Sequence, residues 1–184
     1  MASKAIGSNL GSAKKAFLVP VKLGALSSII MIEGLIATAK DIKAKGRQRK
    51  AVILISMGAY WESPDPVFQF YHRAVGLFME LGVPMVSSAG NSALETNAFG
   101  QLRTNIDTAP SIFASVYPII TVGNVFWDGN LSPDSQHGNL LVVSAVGAGD
   151  ICLDPDGTYI EVSGTSVCMF YQQCFLLGLW LIRF

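Results

Sequence analysis

Charge is scarce in this chain. Only 14% of its 184 residues are Asp, Glu, Lys or Arg, and the two signs cancel to a formal net charge of zero. That excludes the global basic field by which proteins hold nucleic acid. Histidine and cysteine are scarcer still. The two histidines, His72 and His137, stand far from the three cysteines, Cys152, Cys168 and Cys174, and no CxxC pair is present. Neither a structural zinc site nor another metal centre is therefore expected. An odd and sparse set of cysteines also speaks against a disulfide framework. Long apolar runs are missing too. The best candidate, from Cys174 to Ile182, falls well short of the ~20 residues a spanning helix needs. No long apolar stretch follows a basic start behind Met1, so neither a signal peptide nor a membrane partner is expected.

Apolar residues, by contrast, make up 51% of the chain. A buried parallel sheet accounts for this, because its strands read as near-continuous apolar runs. Residues 16–21, with Phe17, Leu18, Val19 and Val21, are expected to form a strand. Ser27 and Ser28 are set to cap a helix that carries Ile29, Ile32, Ile36 and Ala39 at helical spacing and ends near Ala44, with Gly46 behind it. Residues 51–57 (AVILISM) are the strongest strand signal. A second helix is expected over 64–81, with Val67, Phe70, Tyr71, Ala74, Leu77, Phe78 and Leu81 on one face. Gly82 ends it, and 83–88 is the next strand. After an irregular stretch over 90–115, short strands are expected at 119–122, 140–145 and 159–162. Residues 170–184 read as an apolar helix. Strands alternating with helices through short links imply right-handed βαβ units. The expected fold is therefore α/β, three-layered, with a mainly parallel sheet and helices on both faces.

In such sheets, binding and chemistry gather at the carboxyl ends of strands. One such loop holds Ser88, Ala89, Gly90 and Asn91. Small residues there let a ligand approach the backbone, and Asn91 offers an amide donor, although Gly-Asn is also an ordinary turn pair. Another segment, residues 163–166, reads Ser-Gly-Thr-Ser at the start of the last apolar stretch. A serine there is commonly an N-cap. Alternatively, Ser166 is a nucleophile whose neighbouring backbone N–H groups stabilise an oxyanion. It is not a G-x-S-x-G elbow, because position 168 is Cys.

Four blocks occur in a fixed order: Ala51 to Gly58, Gly82 to Asn91, Pro118 to Gly123, and Ser163 to Ser166. Together with Gly11 to Lys22, they resemble the second half of the subtilisin-like (S8) peptidase domain, in the style of its fungal proteinase K-like branch. The resemblance covers residues 3–167 and leaves 168–184 as a divergent apolar tail. It implies a partial subtilisin-like fold and a serine endopeptidase acting on peptide or protein substrates. In that reading Ser166 is the nucleophile and Asn91 the side-chain donor of the oxyanion hole. Ser56, Met57 and Gly58 would pair with substrate backbone, while Ser88, Ala89 and Gly90 would form a wall of the substrate pocket. No organic cofactor is implied, although full-length members often hold structural calcium and are commonly secreted.

The family's catalytic aspartate sits in an Asp-Thr/Ser-Gly motif and its histidine in a His-Gly-Thr motif, both upstream of where Met1 aligns. Neither motif occurs in these residues. His72 reads as a helix-surface residue and His137 as part of a turn. A serine hydroxyl needs a general base, so the chain is expected to be inactive as it stands. The alternatives are a pseudoprotease that holds extended peptides along 56–58 and a fragment whose exposed sheet edge favours aggregation. The sequence leaves oligomeric state open. Lysines and arginines cluster over 40–50 as a solvated helix end.

Overall fold

The computed structural model describes residues 2–13, 15–25, 27–60 and 66–169. The expected helix over 170–184 lies outside the described residues.

Helix α1 spans Ala2–Ile6, and α2 spans Ser28–Ala44. The Ser27 hydroxyl accepts from the Ile30 amide at 3.3 Å, the capping geometry expected of a serine at that position. At the other end Gly46 takes φ +62°, the left-handed turn that glycine adopts without steric cost. Strand β1 is Ile53–Ile55, β2 is Ala59–Tyr60, and α3 is Pro66–Glu80. Then follow β3 (Met85–Ser88), β4 (Thr108–Ala109), a 3-10 turn at Ser111–Ser115 and β5 (Ile119–Val125). The chain continues with β6 (Val143–Val146), β7 (Asp150–Leu153) and β8 (Tyr159–Val162), and a helix begins at residue 165.

The main sheet is four-stranded and wholly parallel in the order β1-β3-β5-β6. Its middle strands are buried on both faces, as a parallel sheet requires. Towards one face, Met85 and Ile119 pack under α2 and α3 with Leu35, Tyr71, Val75 and Phe78. Towards the other, Val86 and Val122 meet Ala5 of α1 and Cys168 and Met169 of the last helix. Helices on both faces give the three-layer α/β arrangement that the alternation of elements predicts. The buried positions of α3, Tyr71, Ala74, Val75 and Phe78, keep the i, i+3, i+4, i+7 spacing of one helix face.

Several local expectations need correction. Residues 16–21 join no ladder. They run as irregular chain with Phe17 82% exposed and Val19 and Val21 about half exposed. A strand needs a partner, and among the described residues none lies beside this one. Phe70 and Ile29 point mainly to solvent, because each falls just outside its helix's buried arc. The strand expected at 159–162 forms, but in a separate antiparallel hairpin with β7, where Asp150 faces Val162. The small β2–β4 pair and α1 carried no sequence signal of their own. Helix α1 is nonetheless anchored: the Lys4 ammonium lies 2.7 Å from Asp150 Oδ1, with both side chains about 95% buried. Removing one partner of such a pair strands a charge and typically costs about 3–5 kcal/mol.

The face under α2 and α3 yields a direct test. Phe78 is fully buried among Tyr71, Val75 and Val83. Phe78→Ala is expected to lower unfolding stability by about 3–5 kcal/mol in urea titrations. A loss under ~1 kcal/mol would contradict this packing.

Candidate functional site

The carboxyl ends of β1, β3 and β6 deliver three loops to one edge of the sheet. From β1 the chain runs through Ser56, Met57 and Gly58 into β2, with Met57 and Gly58 exposed. A Cβ at Gly58 would lie 2.9 Å from Thr108 Cβ and 3.0 Å from the Ala109 carbonyl oxygen. The absence of a side chain is what lets the two backbones approach. The Tyr60 hydroxyl donates to Ser92 Oγ and so ties β2 to the loop after β3. The Arg103 guanidinium lies over the Tyr60 ring, 4.0 Å from its centre.

The loop after β3 begins deep and ends at the surface. Ser88 and Ala89 are buried, Gly90 is half-buried and Asn91 is exposed. The Ala89 amide donates to the Val122 carbonyl at 2.9 Å, prolonging the ladder by one residue. Gly90 takes φ +110°, and a Cβ there would strike Gln136 Oε1 at 2.0 Å, so both conformation and space demand glycine. Gln136 is fully buried, and its Nε2 donates to Arg103, Asn105 and Asp107. Among the described residues its Oε1 has no partner.

Asn91 and the helix start at residue 165 meet directly. Asn91 Oδ1 accepts from the Thr165 amide and from the Thr165 hydroxyl, each at 2.8 Å. Thr165 Oγ1 in turn accepts from the Gly90 amide at 3.2 Å. These bonds fix which way the Asn91 amide faces. Its oxygen is committed to Thr165, and Nδ2 remains as a donor beside Gly164, whose φ of +140° only glycine tolerates well. Ser166 follows, half-buried, and no described residue hydrogen-bonds its hydroxyl. Residues separated by 74 positions are thus joined at one place.

The sequence places Asn91 and Ser166 in separate motifs. The residue it left without a role is Thr165, which connects them. A hydroxyl one residue before a candidate nucleophile, at a helix N-terminus, was the available signal. Gln136 offered none, because burial of a glutamine is not written in its flanking sequence.

Neither histidine hydrogen-bonds Ser166. His72 packs against Phe113 and Tyr117, with Nδ1 3.3 Å from the Tyr117 hydroxyl, on the side of the sheet covered by α2 and α3. It is half-buried rather than a surface residue. His137 pairs with the chain at Thr104 and Ile106 through its backbone.

Behind Ser166, Cys168 is fully buried, with Sγ 3.3 Å from both Asn124 Oδ1 and the Gly164 carbonyl. Burial pushes its thiol up to about 12. A Cβ at Gly147 would lie 2.1 Å from that sulfur, and the Gly164 amide donates to the Gly147 carbonyl at 3.0 Å. Among the described residues no group of three His, Cys, Asp or Glu side chains is placed to hold a metal ion, and no helix is long and apolar enough to cross a membrane.

No family model matches the chain. Among known proteins it is 30% identical over 148 residues to a subtilisin-like proteinase, Mp1, of Magnaporthiopsis poae, a match covering 77% of this chain and 32% of that one. An alkaline proteinase of Hapsidospora chrysogena is 28% identical over 166 residues, covering 88% and 37%. The chain therefore spans about a third of the length of the relatives it matches. Among solved structures, a cold-adapted subtilisin-like serine proteinase superposes with a TM-score of 0.76 at 23% identity, over 99% of this chain and 60% of that one. A lanthipeptide protease gives 0.69 at 21% identity, over 88% and 54%.

Two measurements test the site's construction. Asn91→Ala leaves the buried Thr165 amide without its acceptor and is expected to cost about 1–3 kcal/mol by chemical denaturation. Asn91→Asp keeps both acceptor bonds and is expected to stay nearer the parent. Cys168 gives a pH signature. Its thiol is neutral in the fold to well above 9.0, its ordinary value, and only the unfolded chain ionises there. Its contribution to stability is thus complete below pH 9 and is lost between about pH 9 and 12. In a Cys152→Ser, Cys174→Ser variant, a thiol reagent at pH 8 should leave Cys168 unmodified until urea unfolds the protein. Rapid labelling of the native form would contradict its burial.

Proposed function

Because this chain belongs to the subtilisin-like (S8) family of serine peptidases and spans part of its domain, we propose that Ser166 and Asn91 are the nucleophile and side-chain oxyanion donor of a peptide-bond-cleaving site. The observation that carries this reading is the pair of hydrogen bonds from Thr165 to Asn91 Oδ1. They bring the two residues together and leave Asn91 Nδ2 as the donor.

The chemistry follows from that placement. In a domain that also supplies a general base, Ser166 Oγ would pass its proton to that base as it attacks the scissile carbonyl, and the carbonyl oxygen would take up negative charge. Asn91 Nδ2 and the Ser166 backbone N–H stabilise that charge in the tetrahedral intermediate. The base would return that proton to the leaving amine, and water would then hydrolyse the acyl-enzyme. Loss of one such donor costs about 10²–10³ in rate, the size measured for this donor in a subtilisin. Ser56, Met57 and Gly58 would pair with substrate backbone, and Ser88, Ala89 and Gly90 would wall the pocket for the residue before the cleaved bond. The substrate is a peptide or protein, and no organic cofactor is needed.

The step these residues do not supply is removal of the hydroxyl proton. Neither His72 nor His137 hydrogen-bonds Ser166, and among the described residues no other group is placed as its base. A second reading takes this as the functional state: the chain at 56–58, with Met57 and Gly58 exposed, binds extended peptides without turnover. One experiment separates the readings. The chain is mixed with a fluorogenic peptide, and hydrolysis and binding are followed together. No turnover is expected above that of Ser166→Ala. Hydrolysis abolished by Ser166→Ala would show that a base is present after all. Saturable binding without turnover, weakened at least tenfold by Gly58→Pro, favours the binding reading, whereas no binding removes it.

A further inference from the structure

Strands β1 and β3 run side by side, and their last paired residues are Ile55 and Ser87. Beyond that pair the two chains part and then meet again. The Tyr60 hydroxyl donates to Ser92 Oγ, and each of these residues stands five places past its member of the pair. Residues 56–59 and 88–91 therefore enclose an eyelet, which contains both segments proposed to hold substrate. On the β3 side its first half is filled. Ser88 is still strand, and the Ala89 amide is bonded to the Val122 carbonyl, so the chain leaves the sheet only at Gly90. What stays open is the stretch where Gly58 and Ala59 run opposite Gly90 and Asn91. At roughly 3.3 Å per residue that is a slot about 7 Å long. The residue that closes it is clamped. Tyr60 pairs with Thr108 across the β2–β4 ladder. Its ring lies under the Arg103 guanidinium, 4.0 Å from the ring centre. Arg103 Nη1 donates to Asp107 Oδ2 at 2.7 Å, and Asp107 Oδ1 accepts from Gln136 Nε2 at 2.8 Å. Gln136 stands against Gly90, where a Cβ would lie 2.0 Å from its Oε1. The contacts form a closed circuit, from Tyr60 through Arg103, Asp107 and Gln136 to Gly90, and back through Ser92. Tyr60 remains 44% exposed. With one ring face covered and the hydroxyl committed, that exposed part is a fixed surface.

Resting on the substrate reading above, we propose that Tyr60 is a specificity-determining residue: it bars the far end of the slot, so the peptide residue before the cleaved bond must be Gly, Ala or Ser. The size of the opening decides this. An atom held at contact distance from both ends, roughly 3.5–4 Å from each, uses all of its length. A methyl or hydroxymethyl group fits, whereas an aromatic ring or a long basic chain does not. A bar free to swing would admit larger side chains at the cost of one hydrogen bond. Here it would also have to leave the guanidinium that covers its ring. Arg103 is thus a positioning residue: it acts on the peptide only by holding Tyr60. Close approach of Gly58 to Thr108 and Ala109, with a Cβ 2.9–3.0 Å from their atoms, keeps the wall on that side from yielding instead.

The test uses two fluorescein-labelled tetrapeptides, alike except that one ends in Ala and the other in Phe. The free C-terminal carboxylate takes the oxyanion's place beside Asn91 Nδ2 and so sets the last residue in the slot. By fluorescence anisotropy, the Ala peptide is expected to bind the full chain about tenfold or more tightly than the Phe peptide. Tyr60→Ala should bring the two affinities to within about twofold of each other, chiefly by strengthening the Phe peptide. Arg103→Met should narrow the ratio in the same direction and leave the affinity for the Ala peptide unchanged, a selectivity readout that a merely structural role would not move. Equal binding of both peptides by the parent chain overturns the inference without any variant, which keeps the test decisive should Tyr60→Ala not fold. A preference that survives Tyr60→Ala unchanged overturns it as well and leaves the substrate reading standing. If neither peptide binds, the substrate reading of 56–58 and 88–90 falls, and this inference falls with it.

Discussion

A parallel strand buried on both faces must have every backbone group paired and every side chain packed, and β3 is where that constraint is tightest. Met85, Val86, Ser87 and Ser88 are all buried, with β1 on one side and β5 on the other. Their alternation divides the core: Met85 serves the layer under α2 and α3, and Val86 the layer under α1 and the last helix. Because the strand cannot shift without exposing one of these sets, the loop that leaves it is fixed in place. Asn91 stands three residues beyond that strand, and its position follows from the packing of the strand rather than from the loop's own composition.

The rest of the edge is assembled around that fixed point by short-range polar contacts. Thr165 reaches Asn91 and Gly90, Tyr60 reaches Ser92, and Gly164 reaches Gly147. Each contact joins segments far apart in sequence. The hydrogen bonds are individually modest, yet they share atoms. Asn91 Oδ1 receives two donors, and Thr165 Oγ1 both donates and accepts. Contacts built this way hold the Asn91 amide in one orientation, as the oxyanion role proposed for it requires.

Much of this arrangement was legible in the chain before its structure. The run over 51–57, the helix pattern around Tyr71, Ala74 and Phe78, and the Gly-Asn and Gly-Thr-Ser segments each carry local signals, periodicity or a turn residue, that do not depend on distant partners. What the sequence concealed depends on such partners. Residues 16–21 carry the apolar alternation of a strand, but Pro20 donates nothing to a ladder, and among the described residues no strand pairs with them. Residues 159–162 form a strand, but whether it joins the main sheet or a hairpin is decided by Asp150–Leu153, which has no strong pattern. The role of Thr165 could be read only once Asn91 was seen beside it, 74 residues away.

The missing side chain at Gly147 leads to a point about descent. Its φ is not left-handed, so space rather than backbone strain constrains it: a Cβ would stand 2.1 Å from the Cys168 sulfur, 3.1 Å from the Gly164 carbonyl oxygen and 3.2 Å from Asn124 Oδ1. Position 147 therefore cannot gain a side chain while the Cys168 sulfur stands there. A lineage gaining bulk at 147 must first lose it at 168, passing through a form with a void directly behind the helix that carries Ser166. Such voids carry their own energetic penalty, so the contact acts as a one-way gate on the mutational routes open to this corner of the fold.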